Sequence, residues 1–151
     1  MQRPLAFRVL LAVSLSLLFV LVHAASAAEA SSKRTVVYHV SDSQQASFAL
    51  RNVQNHRRAD ADIKIVVVAN GPGVDFLLSG AKDSRGNTYD VMVEPLIAEG
   101  VEFRVCGNTL EGRQIPVDQL LFDVQVVPAG VQELARLQLE EHAAYISPDG
   151  W

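Results

Sequence analysis

The chain has 151 residues, with 13 Lys and Arg side chains against 17 Asp and Glu, for a formal net charge of −4. Its adjacent basic residues form only two short pairs, Lys33-Arg34 and Arg57-Arg58, so the sequence predicts no nucleic-acid partner. The single cysteine, Cys106, excludes an intramolecular disulfide and makes the fold depend on packing.

The N-terminal segment has the pattern of a secretory signal peptide. Arg3 and Arg8 flank the start of an apolar run over residues 9–22, and small residues follow it. A basic start, a short apolar core and an Ala-x-Ala exit favour cleavage near Ala27, whereas a membrane-spanning helix needs about 20 apolar residues. The sequence therefore predicts a mature protein that is periplasmic or secreted, with no membrane span. The predicted parts are a signal peptide over 1–27, a flexible leader over 28–33 and one domain over 34–151.

Strands and helices alternate along the predicted domain. β-Branched and aromatic residues predict a first strand over 35–40, and apolar residues at helical spacing between 46 and 53 predict the helix after it. The nearly continuous apolar run 63–69 is typical of a strand covered on both faces. The remaining predicted elements are a turn at 70–73, a short helix around 76–78, a helix before 100, a strand over 101–106, a turn at 107–110, a short helix over 117–121, a strand over 123–127, a helix from 131 and a short edge strand over 144–146.

This alternation predicts an α/β fold, a Rossmann-like three-layer α/β/α sandwich around a parallel sheet. Pro95 lies in the middle of the helical pattern that precedes Gly100. Because proline removes a backbone donor and prefers the first helical turn, we expect either a kink at Pro95 or a short helix that begins near Glu94.

Ligands of open α/β sheets bind at the carboxyl ends of the strands, and here each of these ends runs into a predicted helix N-terminus, which favours an anion. The candidate site residues at these ends are His39, Ser41, Asn70, Gly71, Gly73, Cys106, Gly107, Asn108, Thr109 and Gly130. The segment 70–73 lacks the spacing of a P-loop or a dinucleotide motif, which favours a structural turn. The spacing of His and Cys predicts no metal site, and we expect no cofactor.

Cys106 is the candidate catalytic residue because it ends a predicted strand and faces a helix N-terminus, where a thiolate is stabilised. Gly107 permits close approach of the backbone, Asn108 and Thr109 are candidate donors to a charged sulfur, and His39 is a candidate proton acceptor. The alternative remains open that Cys106 packs as a small buried apolar residue.

The stretch Gly100-Val101-Glu102-Phe103-Arg104-Val105-Cys106-Gly107-Asn108-Thr109-Leu110, with segments 70–73, 126–131 and 145–148, resembles the DsrE/DsrF-like proteins, most of all their small exported branch. The resemblance covers nearly the whole predicted mature chain. It implies a DsrEFH-like three-layer fold with a mostly parallel five-stranded sheet, and assembly into a homo-oligomer. In cytoplasmic members, which work as hetero-oligomers, a cysteine after the corresponding strand carries sulfur as a persulfide, and Cys106 matches that position.

Three functions follow as hypotheses. In the first, the Cys106 thiolate handles sulfane sulfur or a thiol-reactive small molecule, with a sulfur donor or acceptor protein as a possible partner; any enzymatic activity is then sulfur transfer rather than hydrolysis or oxidoreduction. In the second, the protein is a non-catalytic oligomeric binding or assembly module and Cys106 is structural. In the third, helix N-termini bind an anion or a small metabolite without the thiol.

Overall fold

Five strands form one sheet within residues 34–148, the part of the chain that the computed structural model describes. They are β1 (Thr35–Val40), β2 (Lys64–Ala69), β3 (Glu102–Cys106), β4 (Gln125–Val127) and β5 (Ala144–Ile146). Their order is β4-β3-β2-β1-β5, and every neighbouring pair is parallel. The predicted five-stranded sheet is confirmed and is parallel throughout. The predicted signal peptide and leader lie outside the described residues.

Helices cover both faces of the sheet. They are α1 (Ala46–Ala59), α2 (Asp90–Ala98), α3 (Gly107–Gly112) and α4 (Gly130–Glu140), with 3-10 helices over Ser43–Gln45, Gly71–Leu77 and Val117–Gln119. Successive side chains of a strand point to opposite faces. Val36 accordingly packs in the large core cluster that contains α1 and α2 residues, whereas Val37 packs with Leu134 and Leu137 of α4. The predicted three-layer α/β/α sandwich is confirmed. Within residues 34–148, each helix is too short or too polar to cross a bilayer.

The predicted turn at 107–110 is wrong, and one of the two alternatives predicted at Pro95 is excluded. Residues 107–110 begin helix α3 instead of forming a turn; the Asn108 N–H donates to the Pro128 carbonyl (3.2 Å), a tertiary contact that local turn preference does not include. Pro95 lies inside α2, which begins at Asp90 and not near Glu94. The carbonyl that Pro95 leaves without a helical donor belongs to Val91, a residue that is 65% exposed, so water can satisfy it.

Charged side chains cover the part of the α4 face that lies over β2 and β3. Arg104, on β3, pairs with Glu133 of α4 and with Glu102. Arg136 of α4 also contacts Glu133, at 2.9 Å. The Arg104 and Glu133 side chains are only 10% and 12% exposed, so these ion pairs are largely shielded from water. These ion pairs hold α4 on the sheet at the margin of the apolar cluster beneath the helix.

Acid is expected to destabilise the fold through Glu133 and Glu141. Hydrogen bonding by Arg136 lowers the pKa of Glu133, and hydrogen bonding chiefly by Lys64 lowers the pKa of Glu141, both from an ordinary 4.5. A carboxyl group with a lower pKa in the folded state contributes its full stability above the unfolded value, and loses it as the pH falls through the folded value. Urea unfolding should therefore show a midpoint that falls on acidification below 4.5, and falls less in Arg136→Leu. Equal falls in both proteins would contradict this assignment.

Candidate functional site

The parallel register brings the predicted site residues to one edge of the sheet. Val40 of β1 lies level with Ala69 of β2, and Ala69 with Val105 of β3. The next residues along β2 and β3, Asn70 and Cys106, therefore lie side by side. The sequence placed all ten candidate residues at strand ends, and the shared direction of the strands puts these ends together.

The Cys106 sulfur is largely buried but has polar surroundings. The residue is 7% exposed and its thiol is free. Burial raises the pKa of this thiol, but hydrogen bonds from the Thr109 hydroxyl and from the N–H groups of Gly130, Thr109 and Asn108 together lower it below the ordinary 9.0. The exposed Asn108 contributes its backbone, and it shares that N–H with the Pro128 carbonyl. The four donors stabilise a thiolate at the start of α3.

Thr109 connects the sulfur to the end of β2. Its Oγ1 accepts a hydrogen bond from the Gly71 N–H at 3.0 Å, which leaves the hydroxyl proton for the Cys106 sulfur. Gly71 has a φ of +52°, a left-handed conformation that favours glycine, and its carbonyl accepts from the Arg113 guanidinium at 3.3 Å. The hydrogen bond from Gly71 thus fixes the Thr109 hydroxyl, the predicted donor to the sulfur.

Two glycines near Cys106 have little room for a side chain. A Cβ on Gly130 would be 3.1 Å from both the Asn70 Cβ and the Cys106 Cβ, and 3.7 Å from the sulfur. A Cβ on Gly107 would be 3.0 Å from the Val127 carbonyl oxygen, as expected if Gly107 permits a close backbone approach. A side chain at Gly130 would crowd Cys106 and Asn70, whereas one at Gly107 would crowd the end of β4.

Gly73 packs the 3-10 helix that follows β2 against the end of β1. Its N–H donates to the Ser41 carbonyl at 2.9 Å and to the Asn70 carbonyl at 2.9 Å. A Cβ on Gly73 would lie 2.1 Å from the Val40 carbonyl oxygen. These contacts are structural, and residues 71–73 begin the 3-10 helix instead of forming a separate turn before it. Ser41 enters the site through its backbone carbonyl.

His39 contacts two other residues and not the sulfur. Its Nδ1 lies 2.7 Å from the Tyr145 hydroxyl, and its Nε2 lies 3.0 Å from the Asn70 Oδ1. Asn70 extends β2 and therefore stands between His39 of β1 and Cys106 of β3. Because both ring nitrogens have these partners, direct proton transfer from Cys106 to His39 has no supporting contact within residues 34–148.

Tyr145 is a site residue that sequence reasoning missed. It lies in β5, which pairs with β1 so that Tyr145 is level with Val37, and it is 43% exposed. The sequence predicted the short edge strand, and an aromatic residue with a hydroxyl in such a strand is the only available signal. Which strand it joins depends on the crossover after α4, which local pattern does not reveal.

Comparison with known proteins agrees with this fold. The sequence profile of the DsrE/DsrF-like family matches residues 18–148, and no curated protein matches the chain. A solved structure of a protein of unknown function, MTH1491 from Methanobacterium thermoautotrophicum, is 33% identical with a TM-score of 0.67, and the match covers 77% of this chain and 100% of that one. The ychN protein of E. coli shares the fold, with 22% identity, a TM-score of 0.63, and coverage of 76% of this chain and 98% of that one. Because the profile spans most of the sequence, the chain belongs to the DsrE/DsrF-like family.

Proposed function

We propose that the protein carries sulfane sulfur as a persulfide on Cys106, outside the cytoplasm after signal-peptide cleavage near Ala27, and as a homo-oligomer. The observation that carries the sulfur chemistry is the placement of this free thiol at the end of β3 and the start of α3, beside the Thr109 hydroxyl and the N–H groups that lower its pKa. A cysteine that served only as an apolar packing residue has no need of these donors. Membership of the DsrE/DsrF-like family supports the same chemistry.

The donors assist both halves of a sulfur transfer. In loading, the Cys106 thiolate attacks the outer sulfur of a donor such as thiosulfate; an S–S bond forms on Sγ, the donor S–S bond breaks, and sulfite leaves with its electron pair. In unloading, an acceptor thiolate attacks the outer sulfur and releases the Cys106 thiolate. A more stable leaving thiolate departs faster, so the same hydrogen bonds favour release. No external oxidant or reductant is needed.

The small exposed fraction of Cys106 suits a donor that presents a terminal sulfur atom. The residue is 7% exposed, and Gly130, which flanks the sulfur, offers no side chain to block it. A terminal sulfane sulfur is a single atom, and it fits such an opening better than a bulky electrophile does. This burial also protects the thiol from unselective oxidation, since oxidation follows exposure.

Mass spectrometry of the intact protein tests the proposal. After incubation with thiosulfate or inorganic polysulfide, the wild type should gain the mass of one sulfur atom and lose it again with a reductant. The matched variant Cys106→Ser should gain nothing. If the wild type takes up no sulfur although Cys106 is reduced, the persulfide proposal is wrong, and the alternative of a non-catalytic assembly module with a structural cysteine is favoured.

A further inference from the structure

Three side chains from three strands form a chain of hydrogen bonds that ends beside Cys106. The Tyr145 hydroxyl is 2.7 Å from His39 Nδ1, and His39 Nε2 is 3.0 Å from Asn70 Oδ1. Tyr145 lies on β5, His39 on β1, and Asn70 directly follows β2. With Cys106 at the end of β3, these groups span the carboxyl edge of four neighbouring strands.

The chemistry of the donors and acceptors determines the tautomer of His39. An amide oxygen only accepts, so the hydrogen on the bond to Asn70 Oδ1 must belong to His39 Nε2. In a neutral ring Nδ1 is then an acceptor, and it accepts the Tyr145 hydroxyl proton. The Tyr145 hydroxyl thereby selects the ring form that donates to Asn70.

The hydrogen bond to His39 also orients the Asn70 amide. Its oxygen is held toward His39, and the NH₂ group lies on the other side of the planar amide. The Asn70 and Cys106 Cβ atoms are each 3.1 Å from the same point, the position of a Cβ built on Gly130. Among residues 34–148, the hydrogen bonds of the Asn70 side chain use Oδ1 and leave Nδ2 available.

From this arrangement we infer that Asn70 Nδ2 donates a hydrogen bond to the outer, anionic sulfur of a persulfide on Cys106, and that His39 and Tyr145 position the amide. The inference rests on the proposed function and extends it to the transferred atom. The donors already described act on Sγ, whereas the outer sulfur lies one bond further out and carries the negative charge after loading. Asn70 supplies a neutral donor there, and His39 acts as a positioning residue instead of a base.

The sharpest test compares two alkylating reagents of similar size. Iodoacetate places a carboxylate on the sulfur, where Asn70 Nδ2 should bind it, and iodoacetamide places a neutral amide there. In Asn70→Leu, which has nearly the same shape and no donor, the ratio of the iodoacetate rate to the iodoacetamide rate should fall about tenfold, as expected for one lost hydrogen bond to a charged group. Tyr145→Phe should lower the ratio less, because the amide remains in place but is less firmly oriented.

Two further readouts separate this inference from the proposed function. Nitrogen NMR of the neutral His39 ring in the wild type should show a proton on Nε2 and none on Nδ1, and Tyr145→Phe should lose this preference. Persulfide loaded on Asn70→Leu should also decay faster than on the wild type.

An unchanged rate ratio in Asn70→Leu, or a proton on Nδ1 alone, would overturn the role of Asn70 even if Cys106 takes up sulfur. If the wild type takes up no sulfur, the proposed function is refuted whatever the rate ratio shows. The inferred contact between Asn70 and a persulfide is then refuted as well.

Discussion

Replacing Gly73 with alanine is expected to lower the free energy of unfolding by about 3 kcal/mol, near the upper end of the usual cost of overpacking. The new Cβ would lie 2.1 Å from the Val40 carbonyl oxygen and 2.7 Å from its carbonyl carbon. Both are backbone atoms of a central strand, and they cannot rotate away as a flexible side chain can. The 3-10 helix must therefore separate from β1, with loss of the hydrogen bond from Gly73 to Ser41. Urea unfolding followed by circular dichroism measures the loss.

Gly112→Ala is the matched control for that substitution. Gly112 ends helix α3, and a Cβ built on it meets no atom within 4 Å. Alanine there should leave stability unchanged or raise it by up to about 1 kcal/mol through helix propensity. If Gly73→Ala and Gly112→Ala unfold at the same urea concentration, the close packing of the 3-10 helix on β1 is not as described.

Replacing Thr109 with valine is expected to slow alkylation of Cys106 at neutral pH by about threefold to tenfold. Valine keeps the shape of threonine but cannot donate to the sulfur, and a hydrogen bond to a charged group contributes about 1.5 kcal/mol or more. The pKa of Cys106 should therefore rise and the thiolate fraction fall, while the greater nucleophilicity of a more basic thiolate offsets part of the loss. The rate of iodoacetamide modification measures the effect.

Thr109→Ser tests whether the hydroxyl or the packing is responsible. Serine keeps the oxygen that accepts from Gly71 (3.0 Å in the wild type) and donates to the sulfur, but it lacks the methyl group. Its alkylation rate should stay close to that of the wild type. A serine variant as slow as the valine variant would show that shape, and not the hydrogen bond, controls the thiol.

The sequence was most informative where burial alone decides the structure. The apolar run at 63–69 predicted a covered strand, and β2 occupies Lys64–Ala69 with Ile65, Val66, Val67 and Val68 all buried. So short a run is typical of a strand covered on both faces, because buried helices are usually longer. The predicted strand over 101–106 placed Cys106 at a strand end. The predicted parallel fold placed that end at the same edge of the sheet as the other strand ends.

The sequence was least informative where distant segments meet. Local preference made 107–110 a turn, although Asn108 is anchored to Pro128, which follows β4. One donor to the sulfur, the Gly130 N–H, lies 24 positions further along the chain, and its place depends on how α4 begins. His39 was matched with Cys106 because both end strands, but the order of the sheet puts Asn70 between them. Contacts of this kind depend on strand order and register, which no local pattern encodes.

The pH dependence of Cys106 alkylation by iodoacetamide tests the central claim most directly, because the rate follows the thiolate fraction. The donors around the sulfur predict a midpoint below the ordinary 9.0 in the wild type, and a higher midpoint in Thr109→Val. A wild-type midpoint at or above 9.0 would mean that burial outweighs the hydrogen bonds, and Cys106 would then be a packing residue with no role in sulfur transfer.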